Sequence, residues 1–206
     1  LASLDGVVGL YLDDTKEIIL LDDGAPSDDL YANVLLAHEL VHALQDQKHD
    51  LASLRAQAPQ TFDGALALAG LVEGEATVYE LLLAYAYQGL NVTEADFSRL
   101  QKRADELSVE MGSPALAARS VFPYFYGATF AGAIWRRGGA HALDAAYASP
   151  PADTLAIVSE DVASRLWPMP SRARWASLEL WLRRKPQRSW NCRVSRTRWL
   201  LPPRNS

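Results

Sequence analysis

Apolar and polar positions first follow a strand-like pattern along the chain and then switch to a helical period. Val7-Val8-Gly9-Leu10-Tyr11-Leu12 and Glu17-Ile18-Ile19-Leu20-Leu21 flank the polar stretch Asp13-Asp14-Thr15-Lys16. Arms rich in β-branched and aromatic residues around a polar turn predict a β-hairpin. Leu30, Val34, Leu35, Leu40, Val41 and Leu44 then recur at helical spacing, with no proline or glycine before Pro59. Ser27 follows Pro26 as an N-cap, and Asp28 and Asp29 suit the positive end of a helix dipole. The spacing predicts a helix from about 28 to 47. A second predicted helix, from about 63 to 88, is apolar almost all round, the pattern of a buried helix.

Thr93 is the N-cap of a third, more charged and amphipathic helix, and Pro114 opens a short one over 114–120. Tyr124 to Arg137 reads as another helix, stopped by Gly138-Gly139, and His141 to Ala148 as a short one before Pro150-Pro151. The fold class expected is α+β and mostly helical, without internal repeats.

Composition divides the chain. With 206 residues, 49% of them apolar, a globular core is expected. Residues 161–206 carry eleven Lys/Arg against Asp161 and Glu179, and five of the six tryptophans. The rest of the chain holds nine basic and 23 acidic residues. The switch suggests a domain over 1–166 joined to a basic Arg/Trp/Pro-rich tail over 167–206, non-native or disordered in character. A frameshifted or spliced-in reading accounts for such a tail, and so does a basic extension toward an anionic surface. Nucleic-acid binding is not expected, because the tail has no periodic basic face.

No run of eighteen apolar residues predicts a membrane span. The lone Cys192 excludes an internal disulfide and any cysteine-based zinc site. The opening at Leu1, with no charged start or apolar signal region, is expected of a processed protein or a fragment; the compartment stays open.

One short string carries chemistry. His38-Glu39-Leu40-Val41-His42 is an H-E-x-x-H pentad inside the first predicted helix. Residues four apart on a helix project from one face, so the two imidazoles can grip a single Zn²⁺. Glu39 beside them can serve a water on that metal as general base. Catalytic zinc takes three protein ligands, and a third must come from elsewhere. An extended H-E-x-x-H-x-x-G-x-x-H pattern fails, because positions 45 and 48 are Gln and Lys and His49 is one residue out of step. Asp96 and His141 sit in no recognisable setting. Glu73 and Glu75 lie in the buried second helix, where an unpaired carboxylate is costly and coordination supplies a partner. Two residues apart, they point about 200° away from each other and cannot both face one ion. Periodicity does not choose between them.

The chain here resembles the gluzincin metallopeptidases, zincins whose third ligand is a glutamate in an E-x-x-A/S-D-like segment. Glu73-Gly74-Glu75-Ala76-Thr77 looks like that segment. The resemblance implies Glu73 as ligand and leaves Thr77 where an aspartate is common, a departure that weakens the expected hydrogen bond to an active-site histidine, though a hydroxyl could still make one. Pro123-Tyr124-Phe125-Tyr126-Gly127 resembles the P-Y-x-x-G segment of the aminopeptidase branch. That match implies Tyr124 as oxyanion donor, with Tyr126 the alternative. The resemblance covers roughly residues 7 to 157, including the Pro-Pro segment at 150–154, and extends to uncharacterised bacterial members of the clan. It does not reach the tail.

What it implies is a zincin-like domain with an N-terminal hairpin, an HExxH helix and a buried glutamate helix. The implied activity is zinc-dependent hydrolysis of peptide or protein substrates. His38, His42 and Glu73 would hold one catalytic Zn²⁺, with Glu39 as base and Tyr124 as donor. Two other classes compete. One is a catalytically silent zincin-like binding or scaffold module. The other is a dimetal carboxylate bundle, since Glu39-x-x-His42 matches its E-x-x-H, although no second such motif exists in the chain.

Overall fold

The computed structural model describes residues 7–22, 29–91, 97, 100, 103, 106–107, 109–113, 119–159 and 192–195. It is mostly helical, with an N-terminal antiparallel hairpin. Strands β1 (Val7–Leu12) and β2 (Glu17–Asp22) pair from Leu12 opposite Glu17 to Val7 opposite Asp22. Their turn closes with Lys16 at φ 58°, the left-handed conformation that ends a tight reversal. A short third strand, β3 (Cys192–Ser195), runs parallel to β2 on its other side, so β2 is central and β1 is an edge.

Helix α1 (Asp29–His49) carries the pentad, and Lys48 and His49 in its last turn suit the negative end of its dipole. The predicted Ser27 cap lies outside the described residues. So do the Thr93 cap and positions 114–118, although the backbone is helical at 100, 103, 106–107, 109–110 and 119–120. Asp50 stops α1 by turning to φ 52°, and its carboxylate then accepts from the backbone N–H of Ser53 at 3.1 Å. It thereby caps α2 (Leu51–Gln57), an element the apolar pattern does not predict.

Thr61 caps the long α3 (Phe62–Tyr87) by accepting from Gly64 N–H at 3.0 Å. Helix α3 is central. Its Leu71 and Val78 are fully buried, each worth about 1.5–3 kcal/mol of burial. One apolar cluster joins its first half to Leu51, Phe130 and Ile157, and a second joins Val78 and Leu82 to Phe97, Ala131 and Trp135.

A single π-helical turn, Phe122–Tyr126, leads into α4 (Gly127–Ala146). Pro123 is tolerated there because the first residues of a helix need no backbone donor. The chain leaves helical geometry inside α4 at Gly139, φ 63° and ψ −153°, which is where the paired glycines predict a stop. Helix α4 lies against α3 at glycine contacts. A Cβ on Gly74 would fall 2.3 Å from the Gly127 carbonyl, and one on Gly127 would fall 2.2 Å from the Gly70 carbonyl oxygen. The Pro150-Pro151 segment docks back onto the start of α3. Thr154 donates its hydroxyl to Asp63 at 2.6 Å, and Asp153 caps the brief α5 (Thr154–Val158). Among the described residues no helix is long and apolar enough to cross a membrane.

Candidate metal centre

One turn apart on α1, His38 and His42 have ring centroids 4.8 Å apart at 80°. Both are buried. Helix α3 crosses α1 in the opposite sense, since Gln45 meets Val72 while His38 reaches Glu80. That crossing sets Glu73 between the imidazoles. Its Oε2 lies 3.3 Å from His38 Nε2 and 3.2 Å from His42 Nε2. His38, His42 and Glu73 are the single such metal-capable group among the described residues.

The donor set suits zinc. Ligands held 2.0–2.1 Å from a tetrahedral ion lie about 3.3 Å from one another; Glu73 Oε2 stands at that distance from each imidazole, and the three ligand atoms all lie within 4.8 Å of one another. The outer nitrogens of both rings are already occupied. His38 Nδ1 donates to Glu80 Oε2 at 3.1 Å, and His42 Nδ1 contacts Gln45 Oε1 at 2.9 Å. Both Nε2 atoms therefore turn inward with the carboxylate. Burial alone would push the His38 pKa down, but its hydrogen bonds to Glu73 and Glu80 outweigh that and raise it to about 9. Burial would raise Glu73, yet hydrogen bonds from His38 and His42 bring it down to about 2. At neutral pH the pocket holds a proton where a cation would also be stable.

Glu39 lies beside the histidine pair, under the hairpin. A Cβ on Gly9 would lie 2.7 Å from its Cγ and its Oε1, so β1 passes this carboxylate only because position 9 has no side chain. The carboxylate accepts a hydrogen bond from the Tyr11 backbone. Burial raises its pKa, the facing histidines oppose the rise, and Glu73 adds to it. Asp46, one turn beyond His42, ties the hairpin down by accepting from the Tyr11 hydroxyl at 2.7 Å and from Lys16 Nζ. A second tie joins Asp13 in the turn to Arg55 on α2.

The two tyrosines separate. Tyr124 lies over His38, with centroids 6.2 Å apart and rings 28° from parallel. Its hydroxyl is held protonated by burial and by the nearby Glu73, Glu39 and Glu80 carboxylates, which together raise its pKa. Tyr126 turns instead to the apolar cluster and stacks on Phe122 at 5.4 Å. Glu73 and Glu75 separate as sharply. Glu75 accepts from Gln45 Nε2 at 3.0 Å and from the Tyr147 hydroxyl at 2.7 Å, away from the histidine pair.

The expectation for Thr77 is corrected. Its hydroxyl is buried without a partner, and Glu80, a turn further along α3, orients His38 instead. His49 stacks flat on Tyr147 at 4.2 Å, His141 is exposed, and Asp96 lies outside the described residues. Sequence reasoning passed over Gly9, Gln45, Glu80 and Tyr147. For Glu80 a signal existed, because a residue seven beyond Glu73 shares its helix face. No protein-family model, no curated protein and no solved structure matches the chain.

Proposed function

We propose that this protein is a zinc-dependent peptidase of gluzincin type, built on a zincin-like domain. The observation that carries the reading is Glu73 Oε2 set 3.3 Å from His38 Nε2 and 3.2 Å from His42 Nε2, with both outer ring nitrogens already engaged. A bound zinc supplies Lewis acidity toward a carbonyl and lowers the pKa of water to about 7.

The chain's own groups account for the rest. Glu39 is buried, with its pKa raised, beside the histidine pair. There it takes the proton from the attacking water and returns it to the leaving amine. The Tyr124 hydroxyl, kept protonated, donates to the oxygen on which negative charge develops. A cleft of about 360 Å³ has Glu73 in its wall, together with Val72, Ala69, Leu68, Ala58 and Pro59. Its apolar floor supports a peptide side chain as the group received next to the reacting bond.

The test is zinc stoichiometry combined with hydrolysis of a mixed peptide library by wild type and Glu39→Gln. One zinc per chain is expected in both, with turnover lower by about 10²–10⁴-fold in the variant. A protein without stoichiometric zinc, or a variant that cleaves as fast as wild type, overturns the proposal.

A further inference from the structure

Gln45 takes no part in the proton transfers of the proposed hydrolysis, yet it is almost fully buried, with its side chain against the outer nitrogen of His42. Its amide can sit in only one orientation. The Nε2 end faces two acceptors, the Val72 carbonyl at 2.9 Å and Glu75 Oε2 at 3.0 Å. A flipped amide would set its oxygen against both of them. Oε1 therefore faces His42 Nδ1 at 2.9 Å, and an oxygen can only accept. Nδ1 must carry a hydrogen, so in the neutral ring Nε2, the nitrogen that faces Glu73, is the one with a lone pair to offer.

Glu75 is pinned in turn. The oxygen that receives Gln45 also receives the Tyr147 hydroxyl at 2.7 Å. Tyr147 is buried and its ring lies 5° from parallel with His49. The chain His42–Gln45–Glu75–Tyr147 thus joins α1, α3 and the C-terminal cap of α4, and each acceptor in it leaves one assignment for the donor before it.

We propose that Gln45, oriented by Glu75 and Tyr147, is a positioning residue that fixes His42 as the Nδ1–H tautomer and so presents Nε2 to the metal. The two glutamates of Glu73-Gly74-Glu75 then serve the same histidine pair, one directly and one through an amide. A neutral amide also orients His42 without adding a carboxylate to a pocket that already holds Glu39, Glu73 and Glu80. This inference rests on the metal-centre reading, and its test separates the two.

Zinc affinity of the full chain, measured against a competing chelator, is compared for wild type, Gln45→Leu, Tyr147→Phe, Q45E and the double variant Q45E/E75Q. Ring-nitrogen NMR on histidine-labelled protein reports the tautomer of His42. Gln45→Leu is expected to bind zinc about 10–100-fold more weakly, with Tyr147→Phe between it and wild type. Q45E sets two carboxylates against each other and weakens binding. The double variant restores an acceptor for His42 and a donor between positions 45 and 75, and recovers affinity to within a few-fold of wild type. The NMR should show Nδ1 protonated in the wild type before and after zinc is added.

Wild type that binds no zinc overturns the metal centre and this inference together. Zinc binding with undiminished affinity in Gln45→Leu overturns this inference alone, as does a His42 protonated only at Nε2. If Gln45→Leu does not fold, Q45E against Q45E/E75Q decides, and a double variant as weak as Q45E refutes the proposal.

Discussion

Helix α3 has two faces that obey opposite rules. Toward α1 it presents Glu73 and Glu80, whose oxygens meet His38 and His42, with Glu75 further round the helix, reaching Gln45 of α1 and Tyr147 at the end of α4. Toward α4 it presents Gly70 and Gly74, which have no side chain and touch the backbone of Gly127. The first face is set by hydrogen-bond partners, and a changed side chain there alters chemistry before it alters packing. The second is set by backbone-to-backbone distance, and one added carbon has nowhere to go. The two are linked, since the close approach at Gly74 and Gly127 brings in the π-helical turn that carries Tyr124.

The largest effect should come from the glycine face. Gly74→Ala adds a carbon 2.3 Å from the Gly127 carbonyl, and thermal unfolding should show a loss of about 3 kcal/mol or more. A variant as stable as wild type would abolish the distinction between the faces. Glu80→Ala tests the polar face. Glu80 is partly exposed and orients His38, so zinc affinity should fall about 10–100-fold, while the melting temperature stays near that of wild type. A collapse of stability there would mean that both faces are structural.

The smallest effect lies far from α3, at the Asp13–Arg55 pair that holds the hairpin turn to α2. The hydrogen bond from Arg55 lowers the Asp13 pKa from its usual 3.8. Its contribution is therefore full above that value and disappears as pH falls through the lower folded value. Because the pair is largely exposed, Arg55→Ala should cost no more than about 1 kcal/mol at neutral pH. In strong acid, urea melts of the two proteins should coincide.

Local rules made the frame legible. The hairpin, α1, α3 and the break at Gly139 follow from period, caps and paired glycines, all of which act within a few residues. Helices α2 and α5 escaped because they have seven and five residues, too few for a periodic pattern to register. Their capping aspartates, Asp50 and Asp153, were the available signal. The spacing of His38 and His42 was equally local. The choice of Glu73 over Glu75, and of Tyr124 over Tyr126, was not, because residues two apart on a helix differ only in which neighbour they meet. That neighbour comes from docking α1 and α4 onto α3. Tyr147 meets Glu75 across 72 residues of chain, and no window along the sequence contains both. Thr77 shows the converse error, in which a motif position supplied a role that packing then withheld.

Glu73-Gly74-Glu75 packs three assignments into one rotation of the backbone: a carboxylate for the histidines, an empty position for a passing helix, and a carboxylate for an amide. Each residue advances the helix by about 100°. Deleting one residue from the first three turns of α3, with the start of the helix held by its Thr61 cap, would turn Gly74 toward the histidines and drive the Glu75 carboxylate into the Gly127 backbone. The tripeptide therefore works as an index mark that fixes the rotational setting of the whole helix, and a slip of a single notch would lose the pocket and the packing in the same step.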